Sequence, residues 1–110
     1  MTFVHATVSC KDSAEAQAIA DALLDNKLIA CAKITVPVEQ SYWWHGRIEQ
    51  GTEVLLNMET HESRMPKIEE AIAKLHSYEI FVLTAVPMVY VSQQARLWLN
   101  ESLNLLGTNN

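Results

Sequence analysis

The fold is decided by residues 29–60, IACAKITVPVEQSYWWHGRIEQGTEVLLNMET, a nearly unbroken run of strand-forming residues around one reversal. The β-branched and aromatic content predicts these extended segments and this turn: Ile29–Val38, Glu39–Trp44, a turn at His45-Gly46, and Arg47–Thr60. Strands of this length exceed what a single short helix can cover. The hairpin is therefore expected to project beyond the body of its domain.

The sequence of this hairpin predicts interruptions of the strand pairing and exposed aromatic side chains. Pro37 lacks a backbone N–H and predicts an edge or a bulge, and Gly51 predicts a second bulge. Because strand neighbours point to opposite faces, Tyr42 and Trp44 share one face and Trp43 takes the other. Leaving apolar area in water costs roughly 25 cal/mol per Å², so rings on both faces favour a subunit interface. A ring-stacking ligand site is the alternative.

A strand and an amphipathic helix precede the hairpin. The alternating segment Phe3–Ser9 predicts the strand. Asp12 followed by Glu15 is a helix-start signal, and the helix is expected over about Ser13–Asn26. Its apolar stripe consists of Ala16, Ile19, Ala20, Leu23 and Leu24.

Two helices and a strand follow the hairpin. The apolar spacing predicts a helix over Met65–His76. The unbroken apolar run Ile80–Val86, bounded by a proline, predicts a strand that is covered on both faces. A last helix is expected to be capped by Ser92 and ended by Gly107, and its apolar residues are Ala95, Trp98, Leu99, Leu103 and Leu106.

The order βαββαβ with an extra C-terminal helix predicts an α+β fold, a ferredoxin-like sandwich with a long hairpin between its second and third strands. We expect one domain over residues 1–110, with an ordered core of about 3–106. Both helices of the βαββαβ unit would cover one face of the sheet. The other face is expected to be apolar and open, and another copy of the chain is the simplest cover for it.

Length, charge and composition exclude several classes of protein. The chain has 110 residues, of which 49% are hydrophobic, and its net charge is −5. Lys and Arg are scattered, so nucleic acid and anionic membranes are not expected partners. No apolar run reaches the roughly 20 residues that span a bilayer. The first residues lack the features of a leader peptide, which predicts a cytoplasmic protein.

The residues suited to chemistry are few. No nucleophile-elbow, Walker or dinucleotide-binding motif is present, so the chain is not expected to be an enzyme. Cys31 lies in an apolar segment and is expected in the core. Cys10 is expected at a partly exposed strand end, where Lys11 and the following helix N-terminus favour the thiolate. Both cysteines are expected as reduced thiols.

His76, at the end of the second predicted helix, is either a helix cap or a metal ligand. We expect Cys10 and His76 to lie far apart within one chain, so that a metal they share would be bound across a subunit boundary. The other histidines, His5, His45 and His61, have no paired spacing and are expected to be solvated.

Several segments together resemble the CutA divalent-cation tolerance family. The run Leu28–Ala32 resembles its LaAC signature, Ser41–Glu49 resembles its SxYxWxGxIE hairpin, and Glu53 stands where the second glutamate of that motif would be. His76–Glu79 resembles HPYE, and Trp98-Leu99 resembles the C-terminal WL. The resemblance implies a tight homotrimer in which the hairpin reaches neighbouring subunits. It also implies tolerance of divalent metals and binding of copper or another divalent cation.

The resemblance also implies site residues. Cys10 and His76 match the cysteine and one histidine of the metal site proposed for the family, whereas Leu75 stands in place of the other histidine. The family is related to PII-like trimers that sense small molecules between subunits, which is the alternative function. The lining implied for such a cleft is Tyr42, Trp44, Glu59 and Tyr78. At Val82 an acid of the family pattern is missing, and at Glu59 an acid replaces a lysine.

Overall fold

The computed structural model describes residues 2–105, over which it has these elements in chain order: β1 Phe3–Cys10, α1 Ser13–Asp25, β2 Cys31–Ile34, β3 Val38–Trp44, β4 Arg47–His61, α2 Met65–Leu75, β5 Leu83–Pro87 and α3 Gln93–Ser102. A single 3₁₀ turn, Glu62–Arg64, precedes α2. None of the described helices is long and apolar enough to cross a membrane.

The sheet has the ferredoxin-like order β2-β4-β1-β5, with every neighbouring pair antiparallel, and β3 extends it by pairing with β4. This confirms the predicted α+β fold. α1 and α2 pack on one face, where alternate residues of β1 and β4 are buried. That core includes Val8, Leu56 and Met58 from the sheet, Ile19 and Leu23 from α1, and Ile68 and Ile72 from α2.

Helices α1 and α3 are each followed, two residues after their last residue, by a residue with left-handed backbone angles. Lys27 after α1 has φ +54° and Asn104 after α3 has φ +58°. Leu28 N–H then donates to the Leu23 carbonyl at 2.9 Å, and Leu105 N–H donates to the Asn100 carbonyl at 2.8 Å. The last helix therefore ends at Ser102, earlier than expected, whereas Leu106 and Gly107 lie outside the described residues.

The break at Pro37 is a bulge between β2 and β3. Ile34 pairs with Leu56 and Val38 pairs with Glu53, so three residues on this side face two on β4. Within the extra turn, Thr35 N–H donates to the Leu55 carbonyl at 3.0 Å, and Leu55 N–H donates to the Thr35 hydroxyl at 2.9 Å. The Thr35 hydroxyl thus takes the place of the backbone carbonyl that would accept the Leu55 N–H in a regular strand pair.

The bulge predicted at Gly51 is wrong. Gly51 pairs with Gln40 in an unbroken register from Val38 to Trp44. The hairpin closes at His45 and Gly46, with φ of +50° and +77°, as a two-residue turn with both central residues left-handed requires.

The face of the sheet opposite the helices is more polar than expected. Thr7 Oγ1 donates to Asn57 Oδ1 at 2.8 Å. Glu59 lies 3.6 Å from the His5 ring and 3.9 Å from the Lys33 ammonium. Cys31, paired with Glu59, is half-buried on this face and not in the core. The prediction of an apolar open face is therefore wrong, because polar residues alternate with the buried ones.

The strand predicted over Ile80–Val86 is shorter and less covered than expected. β5 begins at Leu83, lies at the sheet edge and pairs only with β1. Ile80, Val82 and Val86 are each more than half exposed in the single chain. The prediction of a strand covered on both faces is therefore wrong. As an edge strand, β5 has a neighbouring strand on one side only, and its apolar side chains are left exposed in the single chain.

Candidate functional site

Three side chains with metal-binding atoms meet at the C-terminal end of β1. The ligand atoms of Cys10, Glu15 and His76 all lie within 4.8 Å of one another. The expectation that Cys10 and His76 lie far apart in one chain is wrong. Since α1 follows β1 and α2 follows the antiparallel β4, the two helices run in opposite directions, and α2 ends beside the start of α1.

Cys10 is the last residue of β1 and points into the core rather than toward solvent. It is fully buried, which contradicts the partly exposed position predicted from sequence. Burial, together with the nearby carboxylates of Glu15, Glu53 and Asp12, raises the pKa of the thiol to about 11. The thiol is therefore protonated at neutral pH, so the prediction of a thiolate is wrong.

Glu15, in the first turn of α1, is the member of the cluster that sequence reasoning missed as a ligand. Its Oε1 accepts a hydrogen bond from Lys11 N–H at 2.9 Å, and its Oε2 accepts one from Ser77 N–H at 2.7 Å. Burial acts to raise the pKa of Glu15, but these hydrogen bonds outweigh it and lower the pKa below its usual value. The available signal was its place in the first turn of α1, five residues after Cys10, since helical side chains lean toward the N-terminus of their helix.

His76 follows α2 directly and uses both ring nitrogens. Nδ1 accepts a hydrogen bond from Tyr78 N–H at 3.0 Å, so Nε2 carries the proton and donates to the Ser9 carbonyl at 2.7 Å. The ring also stacks on Phe81 with centroids 5.3 Å apart. Either nitrogen must give up one hydrogen bond before it can bind a metal.

The donor set fits a transition-metal ion after a small contraction. A thiolate, an imidazole and a carboxylate are ligands of zinc and copper. Bond lengths of about 2.0–2.3 Å place tetrahedral ligand atoms roughly 3.3–3.8 Å apart, against separations of up to 4.8 Å here. The ligand atoms would draw together by up to about 1.5 Å, and Cys10 would lose its proton.

A cleft of about 440 Å³ lies next to this cluster, between the hairpin and the loop after α2. Tyr42, Trp44 and Tyr78 line it together within one chain. Glu59 is not brought there within one chain, since it lies on the open face of the sheet beside His5. The remaining lining residues are Ser9, Gln40, Trp43, Glu53, Glu79, Ile80 and Val82. We call this space the aromatic cleft.

Comparison with known proteins identifies relatives across nearly the whole chain. A family model described as CutA1 divalent ion tolerance protein matches residues 4–102. The chain is 30% identical over 89 residues to the divalent-cation tolerance protein CutA of Archaeoglobus fulgidus, covering 81% of this chain and 86% of that protein. It is also 30% identical over 106 residues to Protein CutA of Mus musculus, covering 94% of this chain but only 60% of the longer mouse protein.

Solved structures give the same relationship. The structure of the periplasmic divalent cation tolerance protein CutA from Archaeoglobus fulgidus superposes with a TM-score of 0.89 at 26% identity, covering 93% of this chain and 99% of that one. The likeness therefore extends over nearly the whole length of both chains.

Proposed function

The chain belongs to the CutA1 divalent ion tolerance family, and from this we propose that it acts in metal tolerance by binding divalent transition-metal ions, copper first among them. The observation that carries the proposal is the convergence of Cys10, Glu15 and His76 within one chain. The role is binding rather than catalysis.

The cluster is closed by hydrogen bonds in the metal-free protein. Glu15 accepts two backbone N–H groups, His76 uses both nitrogens, and Cys10 is protonated. Metal binding exchanges part of this network for coordination and releases the thiol proton. A thiolate beside an imidazole favours copper over magnesium or calcium, which prefer oxygen ligands.

A competition titration with copper tests the site. We expect one ion per chain, with affinity reduced at least tenfold in Cys10→Ser and in His76→Ala, since each removes one of three protein ligands. Cys31→Ser and His45→Ala are matched controls, because both residues lie outside the cluster. Unchanged affinity in both cluster variants would overturn the assignment.

We further propose a homotrimer in which the hairpin contacts neighbouring copies. Trp43 is 72% exposed and its cross-strand partner Ile48 is 61% exposed, which is costly in an isolated chain. Light scattering should give about three times the chain mass of 12.4 kDa. A stable monomer at micromolar concentration would contradict this assembly.

A cytoplasmic location stays a prediction for this chain, since the Archaeoglobus fulgidus relative is described as periplasmic. Fractionation of cells that express the native gene, followed by immunoblotting, would decide between the two compartments.

A further inference from the structure

We propose that the aromatic cleft is a second binding site, adjacent to the proposed metal site but distinct from it, and that it takes an organic cation in which an ammonium group carries apolar substituents. The cleft shares none of its lining residues with the cluster of Cys10, Glu15 and His76.

The first observation is Glu53, a largely buried residue whose carboxylate lines the cleft. Its exposed fraction is 9%, and among residues 2–105 its carboxylate accepts no hydrogen bond and forms no ion pair. No buried side-chain oxygen or nitrogen among the described residues lacks a hydrogen-bond partner, so the oxygens of Glu53 open onto the cleft itself. A carboxylate that is largely shielded from bulk water is stabilised there by a cation or by hydrogen-bond donors. The unpaired carboxylate therefore points to a positively charged occupant.

The second observation is the set of rings around this carboxylate. Tyr42 and Trp44 reach the cleft from β3, Tyr78 reaches it from the loop after α2, and Trp43 lies at its border. Aromatic faces attract ammonium groups, most strongly when the cation is desolvated. Rings and a carboxylate together recognise an alkylated ammonium better than either does alone.

The rest of the lining sets the class of ligand. Ile80 and Val82 supply apolar walls, Glu79 adds a second carboxylate, and no lysine, arginine or histidine lines the cleft in the part of the chain that the structure describes. An anionic ligand would meet two acids and no base. A volume of about 440 Å³ lies within the usual range for small-molecule sites.

Calorimetric titration of the metal-free full chain, in the presence of a chelator, tests the charge requirement without any variant. Choline is the cationic probe, and 3,3-dimethyl-1-butanol is its neutral counterpart of the same shape. We expect choline to bind at least tenfold more tightly. Equal affinities would mean a merely apolar pocket, and no binding of choline would also overturn the proposal.

Glu53→Gln tests the carboxylate itself, with Glu39→Gln as the matched control. Glu39 lies on the opposite face of the same hairpin and is exposed. We expect a loss of choline affinity of about tenfold or more in the first variant and none in the second, with unchanged circular dichroism in both.

Equal loss in both variants would overturn the proposal. A second combination would also overturn it: wild type binds no choline, and Glu53→Gln has a lower assembly mass than wild type. The cleft would then be an interface between copies of the chain.

Discussion

Cys10 and Glu15 lie in one cluster, yet their surroundings shift their pKa values in opposite directions. Burial raises the pKa of the Cys10 thiol to about 11, whereas backbone hydrogen bonds from Lys11 and Ser77 lower the pKa of Glu15 against the effect of burial. One ligand therefore binds only after losing a proton, and the other is already ionised. The cluster is held together by hydrogen bonds, and the metal binding that we propose would require release of the thiol proton.

The first prediction at the residue scale concerns metal affinity and pH. Because the thiol of Cys10 is protonated below about pH 11, binding releases one proton, and the association constant should rise about tenfold per pH unit between roughly pH 7 and 9. Competition titrations with a chelator of known pH dependence measure the slope. Cys10→Ser should flatten it, and a pH-independent affinity in wild type would rule out the thiol as a ligand.

The same thiol predicts a loss of stability in alkali. Its pKa rises from an ordinary 9.0 to about 11 in the folded chain, so folding gains stability below pH 9 that disappears as the pH rises to 11. The difference of about two units corresponds to about 3 kcal/mol. Urea unfolding from pH 8 to 11 should show wild type losing most of this, about 2 kcal/mol, relative to Cys10→Ala, with the remainder lost above pH 11. Parallel curves for the two proteins would contradict the burial argument.

At the scale of elements, the bulge between β2 and β3 depends on a side chain. The Thr35 hydroxyl accepts the Leu55 N–H where the backbone ladder is interrupted. Thr35→Val keeps the shape and removes the acceptor, so it should lower the free energy of unfolding by about 1–2 kcal/mol. Thr52→Val, on the exposed part of the hairpin, is the control in urea unfolding and should change it by less than about 0.5 kcal/mol. Equal effects would mean that the hydroxyl is not needed.

The elements were largely predictable from sequence, but their irregularities were not. Pro37 marked the bulge because a missing N–H has a fixed consequence. Gly51 is compatible with a bulge and with a regular strand alike, and here it is regular. The proximity of Cys10 and His76 follows from the alternating directions of strands and helices, and the sequence prediction assigned those directions wrongly.

At the scale of the whole molecule, the projecting hairpin makes the single chain elongated, with extents of 49 × 26 × 23 Å. Replacing exposed Trp43 and Ile48 by serine should reduce the mass seen by light scattering from that of a trimer toward 12.4 kDa while the far-ultraviolet spectrum is retained. Glu39→Gln, on the same hairpin, should leave the mass unchanged. A mass unaffected by the double substitution would place the interface elsewhere.

Long-range relationships were the hardest to derive from sequence. Tyr42, Trp44 and Tyr78 do share a cleft, since the hairpin and the loop after α2 meet at one end of the sheet. Glu53 gave no local signal of burial, because its position depends on the register shift at Pro37, which lies far from it in sequence but on the neighbouring strand. Glu59 was assigned to the cleft by resemblance, and pairing with β1 places it on the open face.

Anomalous diffraction from crystals grown with copper tests the central claim most directly. The account predicts one strong peak per chain within bonding distance of Cys10 Sγ, a Glu15 carboxylate oxygen and a His76 ring nitrogen, with the three ligands drawn closer than the present 4.8 Å limit. A well-ordered peak at another position, or none at this cluster despite saturating copper in solution, would contradict it.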